Sequence, residues 1–586
     1  MPLADPPPTI GAVLAERAAV HPDRVFLAER DGEGWRTVTY AETHDAVRRL
    51  GRALADRGAD PDHPVMLLSE NAIDHALVQL AAMWIGAPAA PVSPAYSLLS
   101  ADHSKLRYVH ELLTPSVVYT ADGDPYADAL AAIAPERVVV SRRPRPGDEL
   151  LADLLTADPV PEAAGVGPDT VAKVLFTSGS TGVPKGVLNT HRMLCANQQA
   201  IVQLWPFLRR TPPVVVDWLP WSHTFGGNHN FNLVLCNGGT LYIDAGKPIP
   251  GRFDPTLRNL AEISPTMYFN VPAGFAMLVP RLEADSALRA RFFERLQVIF
   301  YAAAALPQDL WRRLEDLSIA ERGARVRMLS AWGSTETAPM ATAVHFPIER
   351  AGVIGLPAPG TEIALVPVGD RQELRVRGPN VTPGYWRRPD LTEAAFDDEG
   401  FFLTGDAGRL ADPDDPAKGL VFDGRLAENF KLASGTWVHA GALRVALVET
   451  CRPVVRDLVL TGHDRHELGV LVFPDVDGCR AVAGAADDVG LDELVVHPAV
   501  HGALAAALER HNAEHPTSSR RIGRALLMVE PPDIDAGEIT DKGYLNQRAV
   551  LDRRAALVER LYRGDGPDVL VVPPPQTTST IPQGGT

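Results

Sequence analysis

Three short stretches of this chain place residues of the right kinds, at the right spacing, to hold a nucleotide. The first is Thr177-Ser178-Gly179-Ser180-Thr181-Gly182-Val183-Pro184-Lys185-Gly186, which follows the apolar run Val171 to Phe176. Its glycines let backbone approach a phosphate closely, its hydroxyls supply neutral donors, and Lys185 supplies charge, so it reads as a loop that embraces a polyphosphate. It lacks the G-x-x-x-x-G-K-[ST] order of a Walker A loop, and a Ser/Thr/Gly-rich surface turn has the same composition. The second is Ala331-Trp332-Gly333-Ser334-Thr335-Glu336-Thr337, directly after the strand-like run Val326 to Leu329. That is the carboxyl end of a strand, where open α/β sheets bind ligands. Trp332 can stack on a purine, Thr335 can donate to a phosphate, and Glu336 offers Mg²⁺ a hard oxygen. Taken alone, a tight turn in which Ser334 or Thr335 caps a helix serves as well. The third is Leu403-Thr404-Gly405-Asp406, with Asp423-Gly424-Arg425 shortly after. A carboxylate in a turn suits the two hydroxyls of a ribose, and Arg425 adds a fork-shaped cation.

Between the first two lies Trp218-Leu219-Pro220-Trp221-Ser222-His223-Thr224-Phe225-Gly226. A core histidine and a histidine beside a ligand are equally good readings of His223. His223 and His229 lack a third ligand, which argues against zinc.

These residues need a scaffold. From Ile10 to about Gly165, Ala/Leu-rich amphipathic helices such as Tyr40 to Gly58 alternate with short apolar runs such as Pro64 to Leu68 and Ala89 to Val92. The alternation predicts α/β with a largely parallel sheet, and the texture resumes from Met193 to Leu329, with a helix expected over Asp309 to Leu317. From Gly352 to Leu420 short strands and Gly/Pro turns take over, predicting a small β-rich subdomain, and after Asp423 a new mixed unit begins. The Pro- and Thr-rich stretch from Gly564 to Thr586 is expected to be a disordered tail.

Bulk properties narrow the partners. A length of 586 residues with 46% hydrophobic content supports several cores. The net charge of −17 argues against a nucleic-acid partner, so anions must be met by local cations. Lysine stands only at 105, 173, 185, 247, 418, 431 and 542. The four cysteines, Cys195, Cys236, Cys451 and Cys479, show no metal or disulfide spacing. A reducing cytoplasm is expected, and no run reaches the roughly 18 apolar residues that a membrane span needs.

In this order, the motifs from Ile10 to about Ala556 resemble the adenylate-forming superfamily of acyl-CoA synthetases, aryl ligases, luciferases and peptide-synthetase adenylation domains. The resemblance implies a large amino-terminal domain, residues 1–423, built of parallel-sheet α/β subdomains and the small β-rich one. A smaller mobile α/β domain, residues 424–563, follows, and then the tail, 564–586. It implies an ATP- and Mg²⁺-dependent ligase that makes an acyl-adenylate and passes the acyl group to coenzyme A.

By resemblance, Thr177, Ser178, Gly179, Ser180, Thr181, Gly182 and Lys185 hold the β- and γ-phosphates, and Ala302, Ala303, Ala304, Ala331, Trp332 and Gly333 line the adenine. Thr335 meets the α-phosphate, Glu336 the metal, and Asp406 with Arg425 the ribose. The stretch Tyr301-Ala302-Ala303-Ala304-Ala305 departs from the family's usual Ser-Gly-Ala-Ala-Pro. His223, Phe225, Ala302, Gly333 and Met340 are expected around the acid, with His223 also in the catalytic set beside Thr335, Glu336 and Lys542. Lys542, in Gly537-Glu538-Ile539-Thr540-Asp541-Lys542-Gly543, aligns with the family's catalytic lysine; a solvated surface lysine is the competing reading. The domain after Asp423 is implied to turn about Gly424 to Ala427 and bring Phe430 to Gly435, with Ser434 and Gly435, to the thiol tunnel.

The stretches Asp423 to Val438 and Gly537 to Arg548 look most like feruloyl-CoA synthases, and the Lys431 to Gly435 spacing is also similar to long-chain fatty acyl-CoA ligases. An aryl-propenoate and a fatty acid therefore both stand as substrates, with coenzyme A or a carrier protein as acceptor and a monomer or homodimer as assembly. A nucleotide-binding regulator without activity is disfavoured by the complete charged set. A serine hydrolase is disfavoured because no Gly-x-Ser-x-Gly occurs. All of this requires the Thr177 to Gly186 hairpin and the Trp332 turn to share one cleft.

Overall fold

The computed structural model describes residues 1–163, 165–178, 183–249, 251–302, 304, 306–348, 352–539 and 545–573. The chain divides into two compact units: Met1–Thr404 with Gly408–Phe422, and Gly405–Ala407 with Asp423–Thr586. The stretch read as a disordered tail from Gly564 is ordered in its first part, because Val569–Val571 pairs antiparallel with Ile522–Leu527 and buries Val572; the residues beyond 573 lie outside the described ones.

In the first unit, continuous apolar runs form strands buried on both faces, as the central strand Val65–Leu68 with all four residues buried illustrates. A seven-stranded sheet runs Glu149–Leu150, Val138–Arg142, Val117–Asp122, Val65–Leu68, Ala89–Pro91, Val171–Ser178, Pro184–Thr190. Every neighbouring pair is parallel except the last, a hairpin. Helix Tyr40–Ala55 starts on a capping box in which Thr39 and Glu42 satisfy each other's backbone N–H groups. Helix Gln308–Arg322 extends the predicted Asp309 to Leu317 by a turn at its carboxyl end, up to Gly323 in the left-handed region.

A second sheet holds parallel strands Met267–Asn270, Val298–Tyr301 and Arg327–Gly333. Their alternation sorts Phe269, Phe300 and Leu329 into the main core and Tyr268, Ile299 and Met328 into a separate cluster. The expected β-rich stretch is present as strands, and they extend this sheet. The chain folds back after Gly333, and Met340–Ala343 and Val353–Pro357 add antiparallel to the open edge. The remaining β-rich strands continue from them into one nine-stranded sheet.

The second unit centres on strands Val455–Thr461, Leu468–Pro474, Ile522–Leu527 and Val569–Val571. One face carries helices Ala440–Thr450 and Pro498–Glu514 over a core that includes Leu447, Leu458, Leu504 and Leu527; the other carries helix Ala555–Arg563 over Val459, Leu471 and Leu526. Among the described residues no helix is long and apolar enough to cross a membrane.

Candidate active site

Thr177 and Ser178 end the strand Val171–Ser178, and Lys185 pairs opposite Thr177 on the returning strand. Gly179, Ser180, Thr181 and Gly182, at the tip, lie outside the described residues. The Lys185 ammonium stands 5.4 Å from the centre of the Tyr385 ring. The Tyr385 hydroxyl in turn donates to a Glu336 carboxylate oxygen at 3.2 Å. Burial, and then the Glu336 charge, hold that phenol far above its ordinary pKa, so it remains a donor at any physiological pH.

The hairpin and the second motif therefore meet, and one segment joins them. Trp386 N–H donates to Gly186 O at 2.7 Å, Leu188 N–H to Gly384 O at 3.1 Å, and Thr382 N–H to Glu336 O at 2.8 Å. Gly186 is needed because a Cβ there would stand 2.9 Å from Val174 and 3.2 Å from Trp386. Nothing in the sequence motifs pointed to Thr382 to Trp386; the signal available was a Gly-Tyr-Trp run inside a Pro/Gly turn.

Gly333 and Thr335 to Thr337 form a tight turn at the carboxyl end of Arg327–Gly333. A Cβ on Gly333 would lie 1.7 Å from Pro339 O, so only glycine passes there. Two buried asparagines clamp the turn: Asn197 and Asn380 each donate to both Thr337 O and Met340 O, at 2.9 to 3.4 Å. Thr335 is buried and Glu336 half-exposed. Trp332 packs on Ile354, Leu374 and Leu420, whereas its neighbour Ala331 packs on the main core. Ala302 also packs on that core and Ala304 is exposed, while Ala303 lies outside the described residues.

Around the expected acid pocket, His223 is buried and Met340, 1% exposed, is packed into the main core. Phe225 begins a π-helical turn, Phe225–Asn230, that the sequence reading did not anticipate. Gly226 and Gly227 make it possible, since Cβ atoms there would come within 2.3 Å of Leu219 O and Trp221 O. Lys173, fully buried, donates to Gly227 O at 3.1 Å, and burial pulls its pKa down to about 7. Phe225 and His229 form, with Phe269, Phe300 and Trp205, a box of rings whose centres lie 5.1 to 6.5 Å apart in the contacting pairs.

Within the second unit, Asp406 and Arg425 stand 3.7 Å apart. Ser434 and Gly435 sit in an exposed turn after Lys431, whose ammonium lies 4.8 Å from the Trp437 ring centre. Lys542 lies outside the described residues, and the residues on either side of its stretch are described. Ile539 bridges Leu545, and buried Glu538 accepts from Arg553, from Arg554 twice, and from Asp533 N–H.

The residues suit a metal that arrives with a nucleotide. Glu336 offers hard carboxylate oxygens at the Tyr385 hydroxyl, and Mg²⁺ binds through one or two carboxylates plus substrate phosphates. No group of three or more His, Cys, Asp or Glu side chains able to cage an ion occurs among the described residues.

Residues 14–386 match the profile of the AMP-binding enzyme family, and residues 430–566 match the AMP-binding enzyme C-terminal domain. The chain belongs to the AMP-binding enzyme family. Its class is that of ATP-dependent, AMP-forming ligases. It is 24% identical to the long-chain-fatty-acid–CoA ligase FadD15 of Mycobacterium bovis, over 94% of this chain and 97% of that protein. It is 26% identical to the probable CoA ligase CCL8 of Humulus lupulus over 56% of this chain, and the match spans only 54% of the hop protein. Its fold is similar to the adenylation domain of the carboxylate reductase GR01_22995 from Mycobacterium chelonae, with a TM-score of 0.74, 21% identity, and 95% and 92% of the two chains covered.

Proposed function

We propose that this AMP-binding enzyme is an acid–CoA ligase whose acid is an aryl-propenoate of the ferulate type. The observation that carries the ligase reading is Tyr385, which takes the Lys185 ammonium against its ring and donates its hydroxyl to Glu336, so that the two motifs meet on one side chain. The aryl reading rests on the resemblance of the Asp423 to Val438 and Gly537 to Arg548 stretches to feruloyl-CoA synthases.

In the first half-reaction an acid oxygen attacks the α-phosphorus of Mg–ATP, and pyrophosphate leaves. Thr177, Ser178 and Lys185 hold the leaving phosphates, with Gly179, Ser180, Thr181 and Gly182 as the loop that wraps them. Thr335 donates to the α-phosphate, and Glu336, its second contact fixed by Tyr385, holds the Mg²⁺ carried by the nucleotide. Lys542 supplies the cation that offsets the charge built on the transferring group. Asp406 and Arg425 orient the ribose. In the second half-reaction the thiol sulfur of coenzyme A attacks the acyl carbon, and AMP leaves with the anhydride oxygen. The Phe430 to Gly435 turn serves this step, after movement about Gly424 to Ala427.

The test is an acid panel assayed for AMP release with and without coenzyme A. Ferulate and coumarate are expected to give CoA-dependent AMP and a thioester. Preference for a C8 to C16 fatty acid overturns the aryl assignment, and faster turnover with a phosphopantetheinyl carrier protein than with coenzyme A overturns the acceptor.

A further inference from the structure

The segment Thr382 to Trp386 lies against the returning strand of the hairpin, Pro184–Thr190, and Val187 faces Tyr385 across an antiparallel bridge. To one side of that bridge Trp386 N–H donates to Gly186 O at 2.7 Å, and to the other Leu188 N–H donates to Gly384 O at 3.1 Å. Residues opposed in a hydrogen-bonded antiparallel pair exchange both bonds, so Gly384 N–H should answer by donating to Leu188 O. Gly384 N–H donates instead to Thr382 Oγ1 at 3.2 Å, and that hydroxyl stands 2.7 Å from Leu188 O and 2.9 Å from Gly384 O. A hydroxyl has one hydrogen, and here it serves Leu188 O, the shorter contact and the acceptor that the ladder leaves open. The Thr382 side chain is therefore the missing rung. It is 2% exposed, so water does not stand in for it.

The same residue reaches the other motif through its backbone, because Thr382 N–H donates to Glu336 O at 2.8 Å. Two residues earlier, Asn380 holds the far end of that turn at Thr337 O and Met340 O. Three residues later, Tyr385 meets the Lys185 ammonium and the Glu336 carboxylate. We propose that Thr382 is a positioning residue for the nucleotide step, whose hydroxyl sets the spacing between the strand that carries Lys185 and the turn that carries Glu336. The inference rests on the reading of Lys185 as the phosphate cation and Glu336 as the metal carboxylate. It goes beyond that reading, because Thr382 acts only through these two and touches neither nucleotide nor metal.

The experiment measures ATP affinity of the full chain by titration calorimetry, in EDTA and in Mg²⁺, for the native protein, Thr382→Val, Thr382→Ser and Glu336→Gln. Thr382→Val keeps the shape and removes the hydroxyl. The affinity gained on adding Mg²⁺ is expected to fall about tenfold in it, the size of effect that follows when a buried donor and acceptor lose their shared partner. Thr382→Ser, which restores the hydroxyl, is expected to recover most of the gain, and affinity in EDTA is expected to change little in either variant. A purely structural role would lower the melting temperature of Thr382→Val and leave the gain as it is. A native gain in Thr382→Val, or no recovery in Thr382→Ser, overturns the Thr382 assignment, whereas a native gain in Glu336→Gln overturns the metal reading beneath it. Should Thr382→Val fail to fold, amide exchange in the native protein decides. ATP with Mg²⁺ is expected to slow exchange at Leu188 and Gly384 together, beyond ATP in EDTA, and slowing at one alone or at neither overturns the tie between the two segments.

Discussion

Replacing Glu538 with alanine removes the clasp beside the Lys542 stretch. The side chain is fully buried and accepts four hydrogen bonds, at 2.7 to 2.9 Å, from Arg553, Arg554 and the Asp533 backbone. Arg554 is itself only 4% exposed, and without Glu538 it keeps, among the described residues, Glu530 O, Pro531 O, the Met528 sulfur and the Phe473 ring, none of them an anion. Breaking a buried pair on one side leaves an uncompensated charge and typically costs about 3–5 kcal/mol. In a unit of this size 1 kcal/mol shifts Tm by about 2–4 °C, so the loss is expected to be roughly 6–20 °C. Calorimetry reads it, because the transition of the second unit should drop while that of the first stays in place. The pH dependence supplies a sign. Burial raises the Glu538 pKa, but the Arg554 bond and the arginine charges outweigh it and the net shift is downward. A depressed carboxylate contributes stability that is present above its unfolded value, about 4.3, and is lost as pH falls through the folded value. The gap between native and Glu538→Ala should therefore be full at neutral pH and narrow on acidification. A drop below about 2 °C at pH 7, or a gap that widens in acid, refutes the clasp as an electrostatic device.

Tyr385→Phe removes a donor fixed to Glu336, and the Mg²⁺ needed for half-maximal pyrophosphate exchange should rise about tenfold, in line with loss of a bond to a charged group; an unchanged Mg²⁺ titration counts against the role. Gly333→Ala drives a methyl into Pro339 O, which must shift the turn by about an ångström, and exchange is expected to fall about a hundredfold; activity within a few-fold of native counts against the packing. Lys173 has its folded pKa depressed below the unfolded value, so it penalises the native state most near and below pH 7, and the penalty fades toward pH 10. Lys173→Met should therefore raise the urea midpoint more at pH 7 than at pH 9, and the reverse order speaks against burial as the cause.

What could be read in the chain beforehand was whatever is written locally. The run Val171 to Phe176 had to be a buried strand, as Val171–Ser178 is, and Pro184 and Lys185 return against it; Asp406 and Arg425, 19 residues apart in the chain, stand 3.7 Å from each other. What could not be read was bonding between distant segments. The Thr382 to Trp386 segment follows the Lys185 hairpin by about two hundred residues and bonds it mostly through backbone atoms, which leave no mark on residue type. The π-helical turn escaped for a different reason: Gly226-Gly227 suggests a flexible loop, and only the approach of the Leu219 to Trp221 carbonyls turns it into a compact coil. The β-rich stretch was recognised as strands, but whether strands start a sheet or extend one depends on a free edge elsewhere.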